Sequence, residues 1–177
     1  MKKIIALCLL ATSVCLPGFA QNKVEKIILD DKLEIFLPQG FTAFSMNKIE
    51  SRHPAVSLKP IMMVSYDNGK VFASCTHTDQ KVDDNGIPAF TDKLIADLKP
   101  SVKDFKLIDD GILLKDGKNI GYIKFMSQVK DQKIFNYMFY ISLEERLVLF
   151  SFDCPKKLRK KWEARAEEMA ASLHLLP

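Results

Sequence analysis

Tryptophan occurs once in the 177 residues, glycine seven times and cysteine four times. The seven glycines form no phosphate-cradling loop, which leaves out the P-loop and dinucleotide fingerprints. No Cys-x-x-Cys pair, His-Glu-x-x-His helix or Gly-x-Ser-x-Gly elbow is present, so the common redox, zinc-protease and esterase signatures are missing too. Apolar runs are short of the roughly 20 residues a permanent membrane-spanning helix needs. Charge of one sign is also scarce. The formal charge of +4 includes Lys2 and Lys3, and without them it is +2. That balance gives no support for general nucleic-acid binding, which usually shows as a strongly basic face. Asn-x-Ser/Thr sites, internal repeats and low-complexity linkers are likewise lacking.

What is present begins with an address. Lys2 and Lys3 precede a greasy run from Ile4 to Val14, and Leu16-Pro17-Gly18-Phe19-Ala20 places small residues at Gly18 and Ala20. This is the three-part layout of a secretory signal peptide, with cleavage expected before Gln21. Residues 1–20 are the signal, and 21–177 form one exported domain, periplasmic or secreted. A lipid anchor on Cys15 fits less well, because Thr12-Ser13-Val14 lacks the Leu and small final residue such sites favour. With apolar residues at 47 % and aromatics at 10 %, a domain of this length can bury a real core.

The mature chain alternates strand pairs with helices. Val24–Leu29 and Leu33–Leu37 flank Asp30-Asp31-Lys32 as a hairpin. Ser45 caps a short helix that ends before Pro54. Met62–Tyr66 and Val71–His77 flank Asp67-Asn68-Gly69-Lys70, where Asn-Gly tolerates positive φ. Phe90, Leu94, Ile95 and Leu98 recur at helical spacing, predicting a helix over Pro88–Lys99 closed by Pro100. Four strands follow: Phe105–Lys115, bulged or turned at Asp109-Asp110-Gly111, then Ile120–Gln128, Ile134–Leu143 and Leu147–Phe152. Pro155 opens a last helix whose buried stripe is Leu158, Trp162, Arg165 or Ala166, Met169 and Leu173.

The late strands are apolar on both faces. Phe135, Tyr137, Phe139, Ile141 and Leu143 oppose Ile134, Met138 and Tyr140, and Leu147 and Leu149 oppose Val148, Phe150 and Phe152. Such strands must be covered on both sides. The expected class is α+β, an antiparallel sheet sandwiched between helices in α/β/α layers, in the order ββα-ββα-ββββα.

This arrangement resembles the PsbP-like superfamily, which holds the extrinsic photosystem subunit, a yeast Ran-release factor and small bacterial exported proteins. The resemblance rests on Leu33-Glu34-Ile35-Phe36-Leu37-Pro38-Gln39-Gly40-Phe41, on Gly121-Tyr122-Ile123-Lys124-Phe125, and on the run Phe150–Leu173 with Trp162 inside it. It implies the layered fold and a binding or assembly role rather than one shared chemistry. The surfaces that serve the photosystem or Ran do not carry over, and fold alone does not fix function.

Several residues remain as candidates for chemistry. Cys75 and His77 lie two apart on a strand and so share a face, as a thiolate and its base would. Cys154 is the only other cysteine of the mature chain; with Cys75 it forms either one disulfide or two buried thiols. A four-ligand zinc site is not assembled by spacing, since His53 and His174 do not join the pair. Asp79, Asp83, Asp84 and Asn85-Gly86 lack the alternation of a calcium loop. Acidic pairs such as Asp83-Asp84 and Asp109-Asp110 are expected to accept local backbone N–H groups. Lys156, Lys157, Arg159, Lys160 and Lys161 form a basic run suited to an anionic membrane or envelope polymer, tempered by Glu163, Glu167 and Glu168. No set of residues points to a metal or cofactor. The reading is a non-enzymatic exported binding or assembly module of the cell envelope whose partner is a protein or a small apolar ligand. That ligand would sit between sheet and helix near Met62, Met63 and the Phe-rich strands. The alternatives are a thiol- or metal-dependent enzyme on Cys75 and His77, and a structural factor held at anionic surfaces by Lys156–Lys161.

Overall fold

A computed structural model of the chain describes residues 24–29, 31–43 and 60–176. The segment expected to be a signal peptide, the helix expected at Ser45 and the residue His53 lie outside them. Ten strands and two α-helices are seen among the described residues. They are β1 (Val24–Leu29), β2 (Leu33–Pro38), β3 (Thr42–Ala43), β4 (Met62–Tyr66), β5 (Val71–Lys81), α1 (Ile87–Ser101), β6 (Lys106–Lys115), β7 (Lys118–Val129), β8 (Gln132–Leu143), β9 (Arg146–Pro155), α2 (Arg159–Ser172) and β10 (His174–Leu175). A 3-10 turn, Lys156–Leu158, leads into α2.

Seven strands make the central antiparallel sheet, in the order β3-β4-β5-β9-β8-β7-β6. The hairpin turns that build it follow the local chemistry of the sequence. Asp67, Asn68 and Gly69 all adopt positive φ between β4 and β5, a conformation that Asn, Asp and Gly tolerate best. Both faces of the sheet are covered, as the two-sided apolar pattern requires. One face carries Phe135, Tyr137, Phe139, Phe150 and Phe152 against α2. The other carries Ile123, Phe125, Tyr140 and Leu147 against α1, with Phe90, Leu94, Ile95 and Leu98 as its apolar stripe. The buried stripe of α2 is Trp162, Ala166, Met169 and Ala170.

Three details depart from the sequence reading. The first hairpin does not join the central sheet; β1, β2 and β10 form a separate three-stranded sheet. Alternation explains why, because Leu33, Ile35 and Leu37 are buried on one face only. That face shares the α2 side of the core. Pro100 does not end α1 but sits inside its last turn, where Ser101 closes the helix. The β6 bulge falls at Ile108, with Leu107 opposite Phe125 and Asp109 opposite Lys124. One extra residue on β6 brings the Asp109 carboxylate across from Lys124.

The segments that carry the family resemblance meet in space. Gly40, at φ +97°, turns the chain after β2 beside the Tyr66 ring, where an added Cβ would stand 3.0 Å from Tyr66 Cε2. Phe41 then packs edge-on against Trp162 at 5.6 Å, and Tyr66 meets the same indole at 4.9 Å. Such edge-to-face pairs satisfy the ring quadrupoles and contribute beyond area burial. The strand-Pro-x-Gly-aromatic run and the single tryptophan are thus two halves of one seam.

Candidate functional site

Strand alternation places Cys75 inward, where it is fully buried opposite Phe150. His77 follows two residues on, half-buried and opposite Val148. Cys154 is also fully buried, opposite Phe135. Both sulfurs are thiols in the structure rather than a disulfide. The register gives the reason. Phe150 is the partner of Cys75, and Cys154 lies four residues further along β9. At about 3.3 Å per residue that is about 13 Å along the strand, whereas a bridge needs Cα atoms within about 7 Å. Burial pushes the Cys154 thiol up to about 12, with Asp153 and Glu163 acting in the same direction. The unfolded thiol ionises from about pH 9 while the folded one keeps its proton, so this group withdraws stability as pH rises past 9. Both thiols are expected to label slowly in the folded protein at neutral pH; labelling at the rate of the denatured chain would show an exposed, reactive sulfur.

The acidic pairs divide. Asp83 accepts the Gly86 N–H at 2.7 Å, and Asp84 accepts the Asn119 backbone N–H at 2.9 Å and its Nδ2 at 3.1 Å. They serve the backbone, as turn carboxylates do. Asp109 does something else. Its carboxylate accepts from Lys124 Nζ at 3.0 Å, and Glu167 on α2 accepts from the same nitrogen at 2.6 Å. Lys124 is itself buried and lies over the rings of Tyr122 and Tyr137 at 5.4 and 5.6 Å. Tyr122 donates its hydroxyl to Asp109 at 3.4 Å. Burial works to lower the Lys124 pKa, but the hydrogen bonds and charges of Glu167 and Asp109 outweigh it and hold the ammonium above its usual value. A nucleophilic lysine needs the opposite shift. Lys124 is therefore a protonated clamp that ties β6, β7 and α2 together. Its place on the α2 side could be read from alternation, between Ile123 and Phe125, which face α1. Its partners could not, because Glu167 is forty-three residues away.

The basic run is only partly engaged. Arg159 forms a two-point pair with Glu163, at 2.7 and 2.9 Å, and stacks on Phe135 at 5.1 Å. Lys161 lies over Tyr66 and Trp162 at 5.8 and 5.6 Å. Lys156, Lys157 and Lys160 are exposed. The tempering expected from the following acids is smaller than the sequence suggests. Glu163 is spent on Arg159, Glu167 on Lys124, and Glu167 is about 10 Å up the helix from Lys160 at 1.5 Å per residue.

The space expected near Met62 and the Phe-rich strands is filled by protein. Met62 is buried, and Phe135, Phe139, Phe150 and Phe152 are each exposed by 1 % or less; Phe139 and Phe150 stack face to face at 4.8 Å. A groove of about 580 Å³ lies elsewhere, at the start of α1, lined by Lys81, Asp83, Phe90, Lys93 and Glu145 among others. It is wide open to solvent and mixes both charges. Among the described residues, no group of three or more His, Cys, Asp or Glu is placed to hold a metal ion.

Comparison with known proteins places this geometry in a fold. No family profile matches the chain, and no curated protein sequence matches it either. Solved structures do. Cyanobacterial PsbP (CyanoP) from Synechocystis sp. PCC 6803 superposes with a TM-score of 0.61 at 12 % identity, covering 91 % of this chain and 97 % of its own. LpqN of Mycobacterium tuberculosis, described as involved in cell envelope biogenesis, gives 0.57 at 10 % identity over 88 % and 91 %. PA94 of Pseudomonas aeruginosa, a protein of unknown function, gives 0.55 at 10 % identity over 87 % and 96 %. The chain has the PsbP-like fold. Among the described residues, no helix is long and apolar enough to cross a membrane.

Proposed function

We propose that the protein is an exported binding or assembly module of the cell envelope, acting through its outer surface and performing no catalytic step of its own. The observation that carries this reading is the filling of both faces of the central sheet by the chain's own aromatic side chains, together with the burial of both thiols. A solid core leaves recognition to the exterior. The secretory layout of residues 1–20 supports export, with cleavage before Gln21 and one domain over 21–177. LpqN, a structure of the same fold, is linked by its description to envelope biogenesis, which suits this assignment. The partner is a protein or an extended surface rather than a small apolar ligand, since among the described residues the core between the sheet and α2 is filled by side chains.

Isolation of the protein from the envelope of the cells that make it tests the reading. The expected product is a chain starting at Gln21 with no retained small molecule. A full-length chain beginning at Met1 in the cytosol would overturn it.

A further inference from the structure

The topology gathers charges that the sequence scatters. In the central sheet, β7 and β9 run opposite to β5, β6 and β8. One end of the sheet therefore holds the β7–β8 turn, the end of β9 with the start of α2, and the start of β6. The β7–β8 turn supplies Lys130 and Lys133, and the start of α2 supplies Lys156, Lys157 and Lys160, all exposed. Across the sheet, Lys103 and Lys106 are exposed beside the same turn, with the Lys103 carbonyl accepting the Gln128 N–H at 2.9 Å. Only Asp104 and Asp131 are exposed acids in these segments. The opposite end presents Asp79, Asp83, Asp116, Glu144 and Glu145, with Lys81 and Arg146 the exposed cations among them and Glu144 paired with Lys32. A net charge of +2 thus conceals a domain polarised along its strands. The three strand spacings from β9 to β6 give the basic end a width of about 14 Å.

An apolar side chain stands inside this basic end. Val129, last residue of β7, is 57 % exposed and sits directly before Lys130. Cations alone would suit any polyanion. Cations around an exposed aliphatic tip suit a surface with anionic headgroups over hydrocarbon, because the lysines are drawn to the headgroup charge while the apolar side chain leaves water.

We infer that this end of the domain docks reversibly on an anionic phospholipid bilayer, with Lys130, Lys133, Lys156 and Lys157 at the headgroups and Val129 at the interface. The inference deepens the surface-acting reading and rests on it only for which membrane the protein meets; purified protein and vesicles test it whatever the protein's location in the cell.

The test is co-sedimentation of the purified 21–177 chain with vesicles of phosphatidylcholine mixed with phosphatidylglycerol, and with vesicles of phosphatidylcholine alone. Binding is expected only to the mixed vesicles and is expected to weaken steeply as salt rises. Lys130→Gln, Lys133→Gln, Lys156→Gln and Lys157→Gln together are expected to lower the affinity at least about 100-fold, since each lysine near such a surface contributes roughly a factor of five. Val129→Asn, also at an exposed turn and neutral, is expected to weaken vesicle binding while leaving binding to soluble polyphosphate unchanged. Because all five positions are exposed, an unchanged thermal midpoint is expected for both variants. Equal binding to neutral vesicles, or a four-lysine variant that binds as the parent does, would overturn the inference. So would vesicle binding that Val129→Asn leaves untouched, which would assign the basic end to a soluble polyanion instead.

Discussion

Replacing Trp162 by alanine is expected to lower the unfolding free energy by about 3–5 kcal/mol, the range for deleting a large buried aromatic. For a domain of this size that is a fall in thermal midpoint of roughly 10 °C or more. The magnitude follows from position. Trp162 is 1 % exposed and touches three rings from three separate segments: Phe41 after β2, Tyr66 at the end of β4 and Phe152 on β9. Arg165 covers the indole from outside at 5.1 Å. A cavity there would border several elements, and the aligned strands on one side prevent it from collapsing. Trp162→Phe should recover a good part of the loss, because it keeps one ring in the seam. Scanning calorimetry on the two variants checks this. A change under about 1 kcal/mol for alanine would mean that the aromatic seam does not hold the small sheet region and α2 to the central sheet.

Gly121→Ala is the second large effect. A Cβ at this position would stand 2.2 Å from Tyr140 Cε2, 2.8 Å from its Cζ and 3.0 Å from Ile87 Cγ2. Tyr140 is the direct cross-strand partner of Gly121, so its ring lies over the bare backbone. The ring cannot swing aside cheaply. Its hydroxyl donates to Thr91 Oγ1 at 2.6 Å, and Thr91 in turn donates to the Ile87 carbonyl at 2.9 Å, anchoring α1. Added volume must therefore shift a helix or break a buried hydrogen bond. Overpacking of this kind costs about 1–3 kcal/mol, and an orphaned buried hydroxyl adds to it. The context decides the size. In a Tyr140→Ala background the two ring contacts are gone and only the 3.0 Å approach to Ile87 remains, so the cost of alanine for glycine falls to a small fraction of its value in the parent. A double-mutant cycle measured by denaturant unfolding distinguishes the cases. Equal costs of Gly121→Ala in both backgrounds would contradict the account.

Much of the fold was legible because it rests on short-range rules. Alternation in β8 and β9 assigned each aromatic to its face, and the spacing of Phe90, Leu94, Ile95 and Leu98 assigned α1 its stripe; both assignments are what the structure has. What depends on register was not legible. The separate sheet of β1, β2 and β10 pairs His174 with Glu34 over a long stretch of chain, and nothing local in His174-Leu175 marks a strand. The same limit hid the Lys124 clamp, which needs the one-residue bulge at Ile108 to align Asp109. It also hid the basic end, since Lys130 and Lys156 become neighbours only when Ile134 pairs with Pro155. The four-residue offset between Cys75 and Cys154 on paired strands, which keeps them as two thiols in this structure, is a matter of register in the same way.

Native mass spectrometry of the protein taken from the envelope of its own cells tests the central claim most directly, that this is an exported domain with a solid core that works from its surface. The account predicts the mass of a bare polypeptide beginning at Gln21, with two cysteines that alkylate only after denaturation. A stoichiometric apolar molecule that survives a salt wash would contradict it, because the two faces of the sheet would then hold a ligand where the structure has the chain's own apolar side chains.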